Sequence, residues 1–140
     1  MKNSYRFKVA GHLFEAVFPE GTPAEDYLQP YMPFLSDDEG ELLYSLRVEY
    51  TDDLKALQPG TVKECLNDEA PYFWMFDKDG KYNFGFSYSK SKPDCLVFAT
   101  DDFSSCVVYV RSCDADRFTE FSLSNAMMLM FTFRTSPYDT

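Results

Sequence analysis

Apolar residues recur at every second position over most of this chain, the pattern of strands that bury one face and expose the other. Tyr5, Phe7 and Val9 alternate with Arg6 and Lys8. After Ala10-Gly11 the pattern resumes as His12, Phe14, Ala16 and Phe18 against Glu15, which predicts two strands about a glycine turn or one bent strand. The longest alternation places Leu42, Tyr44, Leu46, Val48 and Tyr50 on one side and Ser45, Arg47 and Glu49 on the other. Tyr72-Phe73-Trp74-Met75-Phe76 is bulky on both faces and runs through Asp77-Lys78-Asp79-Gly80 into alternating Tyr82, Phe84, Phe86 and Tyr88. This is a hairpin, with Gly80 as the left-handed residue of a bulged turn. Cys95 to Thr100 and Cys106 to Arg111 predict a further hairpin around Asp101-Asp102.

Helical signals sit at the two ends. Thr22-Pro23-Ala24-Glu25-Asp26 offers a hydroxyl cap, a proline at the first position and acids in the first turn, and Pro30 and Pro33 keep that helix short. Tyr31 to Leu35 is expected to plug apolar groups into the core from an irregular segment. Thr51 to Asp68 is ambiguous; in one reading Asp52 caps a helical turn through Leu57 that Pro59-Gly60 ends. From Asp116 the spacing of Phe118, Phe121, Leu123, Met127, Met130 and Phe131 suits a helix over a sheet, with Pro137 beyond its end. The sum is an α+β fold: a mostly antiparallel sheet of about seven strands, a short N-terminal helix, and a substantial C-terminal helix packed on the sheet. Residues 1–140 form a single β-rich domain on this reading.

Composition narrows the partners. The 14 Phe, 10 Tyr and single Trp supply enough large apolar surface to offset ordering entropy, so the chain folds. Its 13 basic and 23 acidic residues leave a net charge of −10, a field that repels a phosphate backbone and anionic lipid. Nucleic acid and membrane are therefore not expected partners. The longest apolar run, Ala126 to Phe131, falls far short of the roughly 20 residues a bilayer requires. The opening MKNSYRFKVAG has no apolar signal-peptide core, so a cytoplasmic location is expected.

Each candidate for chemistry meets a simpler reading. Asp77, Asp79 and Asn83 invite a calcium loop, but Gly80 and Tyr88 stand where an EF-hand needs other residues, and a hairpin turn is favoured. The doublets Asp37-Asp38, Asp52-Asp53 and Asp101-Asp102 read as solvated loop acids rather than an acid–base pair. His12 has no partner in the text. Cys65, Cys95, Cys106 and Cys113 contain no CxxC pair and are read as buried free thiols, with a Cys106–Cys113 disulfide the alternative. No catalytic residue, cofactor or metal ligand is assigned, and the chain is not expected to be an enzyme acting alone.

The segment Met127, Met128, Leu129, Met130 and Phe131, with Ala126, is apolar nearly all round, which predicts a helix buried on more than one side. Those five residues are the candidate interaction surface, and Thr140 is expected to be a cut in a longer polypeptide. The opening Tyr5-Arg6-Phe7-Lys8-Val9-Ala10-Gly11-His12-Leu13-Phe14, the Tyr31-Met32-Pro33-Phe34 segment and the helix from Leu123-Ser124-Asn125-Ala126-Met127 to Ser136 resemble the N-terminal region of bacterial proteins related to HPr serine kinase and phosphoenolpyruvate carboxykinase, of Bacteroides type. In that family a similar helix precedes a GxxxxGK[ST] phosphate loop, which none of the six glycines here begins. The resemblance implies a non-catalytic accessory domain that packs against, or positions, a downstream kinase-like nucleotide-binding domain. Self-association or exposed apolar surface around Met128 is the consequence expected of the chain alone. A stand-alone acidic binding protein of inhibitor or immunity type, steered to a basic partner by its charge, is a second class. A small-ligand-binding β-barrel lined by the aromatics is a third.

Overall fold

The structure, a computed structural model, describes residues 3–65 and 67–136. The opening alternation becomes two strands, β1 (Ser4–Val9) and β2 (His12–Val17), paired antiparallel across Ala10-Gly11. A short helix α1 (Ala24–Tyr27) and a 3-10 segment (Gln29–Phe34) lead to β3 (Leu42–Thr51). After a second short turn, Leu54–Leu57, the chain forms β4 (Thr61–Cys65), β5 (Tyr72–Lys78), β6 (Lys81–Ser87), β7 (Cys95–Ala99) and β8 (Ser105–Arg111). Helix α2 (Ala115–Thr135) completes the fold. Pro137 to Thr140, on which the expectation of a chain cut falls, lie outside the described residues.

The α+β class holds, with two corrections to its detail. The sheet has eight strands, in the order β1-β2-β3-β8-β7-β6-β5-β4, and it is mixed. Strand β3 runs parallel to both β2 and β8, whereas every other neighbour pair is antiparallel. The reason is connectivity. The chain leaves β3 for the far edge, and five strands then meander back until β8 meets β3 in the same direction. Strand β4, the extra one, is exposed at nearly every position and carries no alternation to betray it. Both sheet edges are free of closure, so the fold is an open sheet rather than a barrel.

Local chemistry departs from expectation at three turns. Pro23, not Thr22, occupies the cap position of α1, and it forms no side-chain cap bond. Asp53 rather than Asp52 caps the Leu54–Leu57 turn, its Oδ1 accepting the Lys55 N–H at 3.0 Å. The β5–β6 turn has both central residues left-handed, Asp79 at φ 54° and Gly80 at φ 88°, with Lys78 opposite Lys81. That is a two-residue type I′ turn, whose twist matches the strands, instead of a bulged one. Tyr31 and Met32 do pack against the core, but Phe34 and Leu35 are 45% and 44% exposed.

The main core lies between one sheet face and α2. Phe7, Phe14, Tyr44, Leu46, Val48, Val97, Val108 and Val110 project from the sheet onto Phe118, Leu123, Ala126, Met127 and Met130. The helix end is pinned by Arg134, which donates to the Leu43 carbonyl at 2.7 Å and to the Asp102 carbonyl at 3.3 Å. On the reverse face the sheet is divided. Strands β1 to β3 present polar groups, with Arg6 paired to Glu15 at 3.3 Å and Arg47 to Glu49 at 3.1 Å. Strands β5 to β7 present Trp74, Phe76 and Leu96, which form a second apolar cluster with Leu54 from the turn above them.

The two sides of α2 should respond differently to truncation. Leu123 is fully buried and Met128 is 60% exposed. Leu123→Ala is expected to cost about 2–5 kcal/mol and Met128→Ala less than about 0.5 kcal/mol, read from the shift of the urea midpoint at constant slope.

Candidate functional site

The second apolar cluster is only partly roofed, and the opening beside the roof is a cleft of about 630 Å³. Leu54 is driven onto the sheet because the turn that carries it is capped by Asp53 and closed by Gln58 in the left-handed conformation, φ 52°. The chain after the turn is stitched to β5 and β6 by polar bonds. Asn83, almost wholly buried, donates to the Pro59 carbonyl at 2.8 Å, and Lys78 Nζ donates to the Gln58 carbonyl at 3.0 Å. Gly60 sits at φ 118°, and a Cβ there would lie 2.4 Å from the Asp77 carbonyl oxygen. Only glycine permits so close an approach.

Phe76 and Leu96 make the floor of the cleft, and Leu54 lines it from the roof. Behind Phe76 stands Trp74, its ring near-parallel at 12° with centroids 6.4 Å apart, and its Nε1 donates to Ser87 Oγ at 2.8 Å. Gly85 lies under the floor; a Cβ there would meet the Cys95 carbonyl at 2.9 Å and both Leu96 and Phe76 at 3.3 Å. The bare glycine backbone lets those two side chains settle against β6.

The wall opposite is ionic. Arg111 donates from Nε to Asp114 at 2.9 Å, from Nη2 to Asp94 at 3.3 Å, and from Nη1 to the Pro93 carbonyl at 3.3 Å. Asp94 spends its other oxygen on the Tyr88 N–H at 2.9 Å. The guanidinium fork is thus shared between two carboxylates and fixes the loop that carries Lys92 and Pro93. Lys55 and Lys78 stand on the near side and Lys92 on the far side, so four cationic residues and one acid, Asp53, line the cleft.

The candidate surface Met127, Met128, Leu129, Met130 and Phe131 does not stay together. Met127, Leu129 and Met130 enter the core, Phe131 is half-buried with its edge to His12 at 5.5 Å, and Met128 alone is largely exposed. A shallow depression of about 230 Å³ adjoins Met128 and Phe131, floored by Val9 and Tyr31. The buried residues of α2 form one broad stripe that packs on the sheet, and the start of the helix is tied to α1 by the Tyr27 hydroxyl, which donates to Asp116 at 3.1 Å.

Other sequence candidates are dispersed. Asp77 accepts the Gly80 N–H at 2.9 Å and so serves the hairpin turn. Among the described residues no three His, Cys, Asp or Glu side chains are grouped to hold a metal. The acidic doublets lie in exposed loops. All four cysteines are free. The expectation that all are buried needs correction, since Cys113 is exposed and Cys65 half-buried at the edge strand. Burial pushes the Cys95 thiol up to about 11 and the Cys106 thiol to about 12, which makes them poor nucleophiles at neutral pH. The cleft itself escaped sequence reading, because its cations come from four separate segments. The one signal was the run Tyr72–Phe76, bulky on both faces.

Removing the centre of the ionic wall leaves two carboxylates facing each other, one of them in a side chain only 8% exposed. Arg111→Met is therefore expected to destabilise the fold by about 3–5 kcal/mol, measured by urea denaturation against the parent chain. Compared with known proteins, the chain matches no family model, no curated protein and no solved structure.

Proposed function

We propose that this chain is a non-catalytic binding module whose ligand occupies the reverse-face cleft. The observation that carries the reading is the cleft's construction: an apolar floor rimmed by Lys55, Lys78 and Lys92 on a chain of net charge −10. A cavity of about 630 Å³ lies within the range of small-molecule sites, and an apolar lining with a few placed polar groups is their usual chemistry. The supports of the cleft are rigid, since Asn83, Lys78 and Arg111 each tie one wall by hydrogen bonds. No nucleophile is paired with a base there, so binding rather than turnover is the function the lining supports. In a titration with a panel of small anionic, neutral and cationic fragments, amide NMR shifts are expected to cluster on residues 54–60, 76–78 and 92–96. Perturbations absent from that set, or scattered over the molecule, would overturn the reading.

A second reading is favoured by Met128, 60% exposed beside the depression formed with Phe131 and Val9. In it the outer face of α2 docks against a partner protein, such as the kinase-like nucleotide-binding domain implied by the sequence resemblance, and the chain is an accessory domain. Self-association of the isolated chain through that face should then be weakened by Met128→Arg with the melting temperature unchanged. Sedimentation velocity over a range of concentrations checks this, and a parent chain that stays monomeric throughout counts against it.

A further inference from the structure

Resting on the cleft reading, we propose that the ligand is a small amphipathic carboxylate, an aromatic or alkyl body that ends in one carboxylate group. The argument begins with the lysines. Lys8 is paired with Asp38 at 2.7 Å and Lys81 with Asp101 at 3.9 Å. Lys63 donates to the Tyr82 hydroxyl at 3.0 Å, Lys78 to the Gln58 carbonyl at 3.0 Å, and Lys90 lies over the Tyr72 ring at 5.9 Å. Among the described residues only Lys55 and Lys92 have an ammonium group with no such partner, and both line the cleft. In a chain with 23 acids available, the two unmatched lysines share one cavity.

Of the remaining polar groups of the lining, the Gln58 side-chain amide and one Asp53 carboxylate oxygen stay open, and the rest are engaged. The Arg111 charge is answered by Asp94 and Asp114, so that residue is scaffold and not receptor. Asp53, the one carboxylate on the rim, accepts the Lys55 backbone N–H. Lys78 spends one of its three N–H bonds on Gln58 and keeps two. Three ammonium groups thus face one rim carboxylate and one neutral amide, an excess of donors and of positive charge that complements an anion. A cationic ligand would meet three ammonium groups. A sugar would find few acceptors for its hydroxyls.

The floor decides what else the ligand carries. Leu54, Phe76 and Leu96, flanked by Pro59 and Pro93, present no polar side chain to a bound molecule. A bare inorganic anion would leave this surface against water, whereas an apolar body would bury it, at roughly 25 cal/mol per Å². An apolar body and one anionic end together account for both halves of the lining. A single carboxylate suits lysine, whose compact ammonium needs no bidentate geometry.

Trp74, the only tryptophan, stacks behind the floor residue Phe76 and gives an intrinsic reporter. The test compares phenylbutyrate with the neutral phenylbutanol by Trp74 fluorescence and by calorimetry on the intact chain. Phenylbutyrate is expected to bind at least about tenfold more tightly, a difference of about 1.4 kcal/mol. The double substitution Lys55→Gln with Lys92→Gln, at two exposed positions, is expected to reduce that preference to what Lys78 alone supplies while the alcohol binds as before. Equal binding of the two probes would overturn the anion inference and leave the cleft reading standing. Carboxylate preference undiminished by the double substitution would overturn the inference by placing the anion elsewhere. Failure of both probes to bind, with no fragment shifting the cleft amides, would overturn the cleft reading itself.

Discussion

The parallel seam between β3 and β8 is the contact on which the rest of the molecule depends. It is the one ladder that joins the N-terminal unit, β1 to β3, to the five-strand meander, β4 to β8. Val48 pairs with Val108 and Leu46 with Cys106, and all four are essentially inaccessible. Pairing residues so far apart in sequence costs loop-closure entropy before any burial compensates it. Helix α2 supplies that compensation, since its heaviest packing falls on β8 and β3. The seam orders the backbone, and burial against the helix makes that order favourable.

The same connectivity divides the reverse face. Parallel strands usually lie under helices on both sides and are apolar throughout. Here β3 has parallel neighbours yet keeps Ser45, Arg47 and Glu49 toward solvent, because no helix covers that side. The meander's reverse face is apolar and is roofed only by the short turn Leu54–Leu57. A turn of four residues is too small to cover Trp74, Phe76 and Leu96 completely. The cleft follows from that mismatch between the area of the cluster and the size of its roof.

Periodicity marks β1 to β3, β8 and α2, where one buried face imposes a spacing, although it leaves β1 and β2 open to reading as one bent strand; β5 to β7, buried on both faces over much of their length, are marked by bulky and β-branched runs between turn residues. It could not reach β4, where Thr61 to Glu64 are all exposed and no face is buried. Nor could it distinguish parallel from antiparallel neighbours, since alternation identifies the face of a strand and not the strand beside it. At the helix, the composition of Ala126 to Phe131 suggests burial on more than one side, whereas the buried residues follow one broad stripe and Met128 is exposed. The cleft was least legible. Lys55, Lys78, Lys92 and Arg111 share no motif, and only the folded register of three strands and two loops brings them around one floor.

An acidic chain that gathers cations in one recess meets an anion in two regimes. Beyond about 8 Å at physiological salt the field of the net charge is largely screened, and what remains of it repels. For a ligand in the recess, as proposed, the local groups would dominate, because Lys55, Lys78 and Lys92 line it against the single carboxylate of Asp53, and Phe76 and Leu96 exclude water on one side. Selectivity then comes from contact and not from steering. A polyanion, which would have to lay many charges across the acidic surface, is rejected by the same field that a single carboxylate crosses at little cost. The arrangement favours a ligand with one charge and a body large enough to be held by the floor.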